Sequence, residues 1–238
     1  MKTLKLSYLP LGQKYLELML KDIDTLTIAV PKGRVLEEII SLFDIINLSF
    51  FDNPFKSRKL IFKTSNRKIR IILLRPQDVA TYVTSGVADL GICGLDVLEE
   101  INTSSLFNLL DLNIGKCKMV VAASSDYNYD AIVKSGSRIS VASKYTKIAT
   151  NFFNSKRVHV DMIKLYGSME LAPILKLSEI IVDLVSTGQT IKANNLKICE
   201  DIMDISSFLI SNQFAYKFKN KLIINLSLIH ISEPTRPY

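Results

Sequence analysis

The sequence predicts an α/β fold, and three observations carry the prediction. From Thr25 onward short β-branched runs alternate with stretches of helical periodicity. The chain has 238 residues with 48% hydrophobic and 22% charged composition, enough to bury one large core or two small ones and too apolar for global disorder. With nine glycines and seven prolines, collagenous and low-complexity chains are excluded.

The elements follow in order. Leu26–Val30 reads as a strand, Pro31-Lys32-Gly33-Arg34 as a turn, and Val35–Phe43 as a helix with Val35, Leu36, Ile39, Ile40 and Phe43 on one face. Lys68–Leu74 reads as a buried strand. Pro76 suits a first helical turn, Asp78 the positive end of that helix, and Gly86 its termination. Asp89–Cys93 is the next strand. Lys118–Ala123 and Ile139–Ala142 are further strands, followed by a helix at Tyr145–Phe153 and a strand at Val158–Lys164. Ser168–Leu175 is a short helix and Glu179–Leu184 a strand that runs into the loop Val185–Gln189. After Thr190 helix or extended chain resumes. Leu196–Ile202 reads as a strand and Ser206–Asn212 as a helix.

The ends fit this rhythm poorly. Residues 1–18 precede Met19, which offers an alternative start, and Glu233–Tyr238 is broken by prolines. Both 1–18 and 218–238 are therefore expected to be unstructured or non-native extensions. No apolar run reaches the roughly 18–20 residues of a bilayer span, so no membrane partner is expected. Lys2, Lys5 and Lys14 interrupt any signal-peptide core. Cys93, Cys117 and Cys199 are odd in number, far apart and without a CxxC pair, which points to free thiols in a cytoplasmic protein and to no protein metal site.

Net charge is +7, and its main local excess is Lys56, Arg58, Lys59, Lys63, Arg67, Lys68 and Arg70, with no acid between them. Such a cluster either attracts a polyanion or forms a solvated hairpin with its cations outward. A nucleic-acid binder would use it; no nucleic-acid partner is expected. His159 and His230 are the only histidines, and His159, between two valines, reads as structural.

The sharpest chemical signal is Asp183-Leu184-Val185-Ser186-Thr187-Gly188-Gln189-Thr190 after the apolar run Ile180–Val182. A strand ends in a carboxylate and a hydroxyl-rich loop follows. Gly188 permits a sharp turn, successive N–H groups point inward, and Thr187 and Thr190 offer hydroxyls, so the loop suits a phosphate monoester. Asp183 is placed to hold ribose hydroxyls or a hydrated magnesium ion. As a bare pattern, the same turn also serves as an ordinary strand–helix connection. Walker-type and G-x-G-x-x-G loops are absent.

Five blocks occur together: TIAVPKGR at Thr27–Arg34, LLRPQD at Leu73–Asp78, ADLGICGLD at Ala88–Asp96, KLYGSMELAP at Lys164–Pro173 and IVDLVSTGQTI at Ile181–Ile191. In order and spacing they resemble the ATP phosphoribosyltransferases, over roughly Leu26 to Phe214, and the length resembles the short form without a regulatory domain. The resemblance implies transfer of the phosphoribosyl group of phosphoribosyl pyrophosphate to N1 of ATP, the first step of histidine biosynthesis. It implies a type II periplasmic-binding-protein-like fold of two lobes with a central cleft: 19–114 plus 195–217, and 115–194.

By that resemblance, Ser186, Thr187, Gly188, Gln189 and Thr190 would bind the 5′-phosphate, with Asp183 and Glu170 on the ribose hydroxyls. Lys32, Gly33, Arg34 and Arg75 would face the pyrophosphate and triphosphate, and magnesium would bridge phosphates. Asp89 is either a further polar contact or a buried structural acid. The partner implied is a histidyl-tRNA-synthetase-like regulatory subunit in a hetero-octamer. Two departures stand out: the family signature carries glycine where this chain has Lys176, and Leu or Met where it has Ile191. A glycine at positive φ is not freely replaced. The rival of the same class, a two-lobed binding protein without catalysis, would call for an export signal.

Overall fold

A computed structural model describes residues 24–101 and 105–226. The chain opens with β1 (Leu26–Pro31) and α1 (Val35–Ile45), β2 (Ile61–Lys63), β3 (Ile69–Leu74) and α2 (Pro76–Thr84), then β4 (Leu90–Gly94) and α3 (Leu95–Glu100). After β5 (Leu106–Asp111) come β6 (Cys117–Ser124), α4 (Tyr129–Ser135), β7 (Ile139–Ser143), α5 (Thr146–Ser155) and β8 (Val160–Lys164). The chain continues through α6 (Leu171–Ile174), β9 (Ile180–Val185), α7 (Gln189–Ala193) and β10 (Leu196–Ile205). It closes with β11 (Ser207–Asn212), α8 (Gln213–Phe218) and α9 (Asn220–Ile224).

These elements form two compact units, one of residues 24–93, 105–112 and 208–226, the other of 94–101 and 113–207. The first holds a sheet in the order β2-β3-β1-β4-β11-β5. Every residue of β1 is buried, since β3 and β4 pair with it in parallel on either side. Such a strand is apolar throughout because both its faces are covered. Leu36, Ile39 and Phe43 are the buried residues of α1, at the spacing the sequence predicts. Pro76 begins α2 after an extended Arg75, and Val79, Ala80 and Val83 turn inward.

The second unit is built on the order β10-β6-β9-β7-β8, with β7, β8 and β9 parallel. Alternate residues feed two cores, one on each face of this sheet. Met119, Val121, Ile139, Val141, Ile180 and Val182 pack with Phe153 on one side. Ala122, Ala142 and Ile181 pack with Met169, Ile191 and Leu196 on the other.

Several expectations need correction. Ser207–Asn212 is a strand, β11, not a helix: it lies between β4 and β5, where both faces are covered. Residues 195–207, expected in the first lobe, lie in the second unit because β10 pairs along β6. Residues 94–101 lie there too, since α3 is bonded to the start of α5: Asp96 accepts from the Tyr145 hydroxyl at 2.8 Å, and the Glu100 carboxylate accepts the N–H groups of Lys147 and Ile148 at 3.0 and 3.1 Å.

The end of the described chain is not a loose extension either. Ile223 and Leu226 are buried, and Lys219 lies inside the first unit. The expectations for 1–18 and 227–238 fall outside the described residues. Of the basic cluster, Lys63, Arg67, Lys68 and Arg70 lie on an antiparallel hairpin, β2 on β3, with Lys63, Arg67 and Lys68 exposed. Among the described residues no helix is long and apolar enough to cross a membrane.

Candidate active site

In each sheet the carboxyl ends of parallel strands gather the polar groups, as is general for open α/β sheets. In the first unit Pro31 at the end of β1 is in register with Leu74 at the end of β3, and the Lys32 N–H donates to the Leu74 carbonyl at 2.8 Å. This puts Lys32, Gly33 and Arg34 at the same sheet edge as Arg75. Gly33 has φ +107°, a conformation that side chains resist, and its carbonyl accepts the Leu36 N–H that starts α1. Lys32, Arg34 and Arg75 are all exposed. Asp78 lies in the first turn of α2, where its charge favours the helix.

Asp89 is elsewhere. It precedes β4, at the amino ends of the parallel strands, opposite the edge that carries Arg34 and Arg75. One carboxylate oxygen accepts the Thr27 N–H at 2.8 Å, and the other pairs with Lys219 Nζ at 2.8 Å. Of its two readings, the surroundings support the buried structural acid. Its oxygens are committed to the fold.

In the second unit the carboxyl end of β9 carries the predicted loop. Asp183 sits within β9, half-buried, and its Oδ1 accepts the Leu184 N–H at 2.8 Å. Burial pushes the Asp183 carboxyl above the usual range. The Glu170 charge adds to that rise, while the Leu184 N–H and Lys144 oppose it. Glu170 is half-buried at the start of α6.

Ser186 and Thr187 are exposed, Gly188 turns the chain with φ +73°, and Gln189 and Thr190 open α7. Without a Cβ, Gly188 enters this left-handed conformation freely. The loop thus offers hydroxyls and amide hydrogens to solvent beside a carboxylate. Ile191 is buried beneath it, so the change from the family residue stays within the core.

The turn after β7 holds residues that the sequence reading missed. The Ser143 hydroxyl donates to the Val182 carbonyl at 2.7 Å and accepts the Tyr145 N–H at 2.9 Å. Lys144 therefore follows β7 directly beside β9. Its Nζ lies over the Tyr145 ring, 5.5 Å from the centroid, and Tyr145 is fixed by its bond to the buried Asp96. A lysine directly after a strand was the available signal. Lys176 has φ +57°, the left-handed conformation that the family glycine would adopt without strain.

The ATP phosphoribosyltransferase family model (HisG) matches residues 75–230. The chain belongs to the ATP phosphoribosyltransferase family. An ATP phosphoribosyltransferase of Acidovorax sp. (strain JS42) is 54% identical over 194 residues, covering 82% of this chain and 90% of the relative. One from Neisseria gonorrhoeae is 50% identical over 200 residues, covering 84% and 90%. Among solved structures, the ATP phosphoribosyl transferase (HisG:HisZ) complex from Thermotoga maritima matches with a TM-score of 0.74 at 31% identity, over 87% of this chain and 100% of that one.

Membership in the family accounts for the five blocks read in the sequence. The periplasmic VFT2 domain of Bordetella pertussis BvgS matches with a TM-score of 0.56 at 12% identity, over 93% and 92% of the two chains. That likeness concerns the fold alone, and it bears out the α/β, periplasmic-binding-protein-like class.

Proposed function

We propose that this chain transfers the phosphoribosyl group of phosphoribosyl pyrophosphate to N1 of ATP, releasing pyrophosphate and forming phosphoribosyl-ATP, the first step of histidine biosynthesis. The observation that carries the reading is the loop 186–190 at the carboxyl end of β9, the strand that holds Asp183, in a chain of this family.

Displacement at the anomeric carbon builds positive charge on the ribose and negative charge on the leaving diphosphate. A catalyst for such a step needs positioning and electrostatics more than a strong base. Ser186, Thr187, Gln189 and Thr190 would hold the 5′-phosphate through hydroxyl, amide and main-chain N–H donors around the Gly188 turn. Asp183 and Glu170 would accept hydrogen bonds from the ribose hydroxyls, and ionised carboxylates near the anomeric centre would favour its developing charge. Lys32, Arg34 and Arg75 supply cations for the diphosphate and triphosphate, and Gly33 lets phosphate approach the main chain.

Magnesium fits this donor set. Asp183 and Glu170 are hard oxygen donors, and among the described residues no group of three or more His, Cys, Asp or Glu side chains is arranged to hold a metal. The ion would be held mainly by substrate phosphates, whose charge it neutralises. By analogy with the HisG:HisZ complex, the chain would act with a histidyl-tRNA-synthetase-like regulatory subunit in a hetero-octamer, in the cytoplasm. Formation of phosphoribosyl-ATP from ATP, phosphoribosyl pyrophosphate and magnesium, followed with and without that partner, tests the reading. No product under either condition refutes it.

A further inference from the structure

Building on the proposed phosphoribosyl transfer, we infer that Lys144 binds a phosphoryl group of the sugar diphosphate at the carboxyl edge of the second sheet. The edge needs a cation there. Asp183 and Glu170 both lie at this edge, and a phosphate dianion brought beside two carboxylates is repelled unless positive charge is interposed. The loop Ser186–Thr190 contains no cation, and Lys192, on α7, is exposed.

Lys144 fits the need in place and in restraint. It directly follows β7, whose parallel ladder with β9 ends at Ser143 and Val182, one residue before Lys144 and Asp183 respectively, and its charge acts on the Asp183 carboxylate. The Ser143 hydroxyl ties the turn to β9, and the Tyr145 ring, locked through Asp96, lies under the ammonium. Lys144 is half-buried, and its ammonium makes no hydrogen bond or ion pair among the described residues. Lys164, the last residue of β8, is exposed over the Tyr166 ring and lacks this restraint. The position also repeats a pattern of the first sheet, where Lys32 follows β1 and Arg75 follows β3. A cation held in advance, near the charge it must meet, loses little freedom on binding.

Binding calorimetry on the full chain with its regulatory partner tests the inference, using phosphoribosyl pyrophosphate, ribose 5-phosphate, pyrophosphate and ATP. Lys144→Gln should weaken phosphoribosyl pyrophosphate about 10- to 100-fold and flatten the salt dependence of its binding, with ATP unaffected. Lys144→Arg should restore most of the affinity. A parallel loss for ribose 5-phosphate alone assigns the 5′-phosphate; a loss for pyrophosphate alone assigns the diphosphate.

On the unmodified protein, phosphoribosyl pyrophosphate should protect Lys144 from reductive methylation, read by mass spectrometry, which keeps the test independent of how the variants fold. Unchanged affinity in Lys144→Gln, or no protection, overturns the role of Lys144. If the wild-type assembly itself binds no phosphoribosyl pyrophosphate, the functional reading fails instead.

Discussion

Lys219 and Asp89 form a buried ion pair, Nζ to Oδ1 at 2.8 Å, with side chains only 4% and 10% exposed. Lys219 also donates to the Thr25 carbonyl at 2.8 Å, and Asp89 accepts the Thr27 N–H at 2.8 Å. The pair thus ties the segment before α9 to the start of β1. Removing one partner strands the other charge in the core. Lys219→Met or Asp89→Asn should each destabilise the fold by about 3–5 kcal/mol, whereas the double variant should cost less than the sum. Urea denaturation checks this, and additive losses would contradict it.

Glu100 acts on α5 as an N-cap contributed by another helix. Its carboxylate takes the N–H groups of Lys147 and Ile148 and the Thr146 hydroxyl. Glu100→Ala should therefore cost about 1–2 kcal/mol, and Glu100→Gln less, since the amide oxygen still accepts but the favourable charge at the helix start is lost. Equal stability of all three proteins in denaturant would dismiss the cap.

Lys176 holds a left-handed backbone at φ +57°. Glycine adopts that conformation without a Cβ clash, though it gives up more freedom on folding. Lys176→Gly should accordingly stabilise the second unit by about 0.5–1 kcal/mol, seen as a melting-temperature rise of about 1–4 °C. A fall would mean that the lysine side chain contributes more than its backbone costs.

Asp183 gives a pH dependence with a defined sign. Burial, reinforced by Glu170, raises its carboxyl above the ordinary value of 3.8. The folded protein then holds this proton more tightly than the unfolded chain does. The associated stability is full below 3.8 and is lost as pH rises through the raised value. Relative to Asp183→Asn, the wild type should lose stability as pH increases through that window. Denaturant midpoints measured across it provide the check, and a relative gain with pH would reverse the assignment of burial as the dominant cause.

The parallel strands and the phosphate loop are readable in the sequence because each depends on local pattern: an apolar run, an acid near the strand's end, then Thr-Gly-Gln-Thr. Ser206–Asn212 reads as a helix in the sequence because a short apolar segment has no period that separates a buried strand from a helix, and only the place of β11 between β4 and β5 decides. Asp89 and Lys219 stand 130 positions apart, so their pairing depended on the sheet bringing both to one end of β1. Lys144 is hidden in the sequence for a similar reason. Its proposed role depends on the pairing of β7 with β9, which brings its charge near Asp183, and on a tyrosine held by an aspartate in α3.

The loop at the end of β9 is the centre of the account. Calorimetric titration of phosphoribosyl pyrophosphate into the assembled enzyme, wild type against Thr187→Ala/Thr190→Ala, addresses it most directly. The double variant should bind about 1–3 kcal/mol more weakly per lost phosphate contact, with ATP affinity unchanged. Wild-type affinity for phosphoribosyl pyrophosphate in that variant would contradict it.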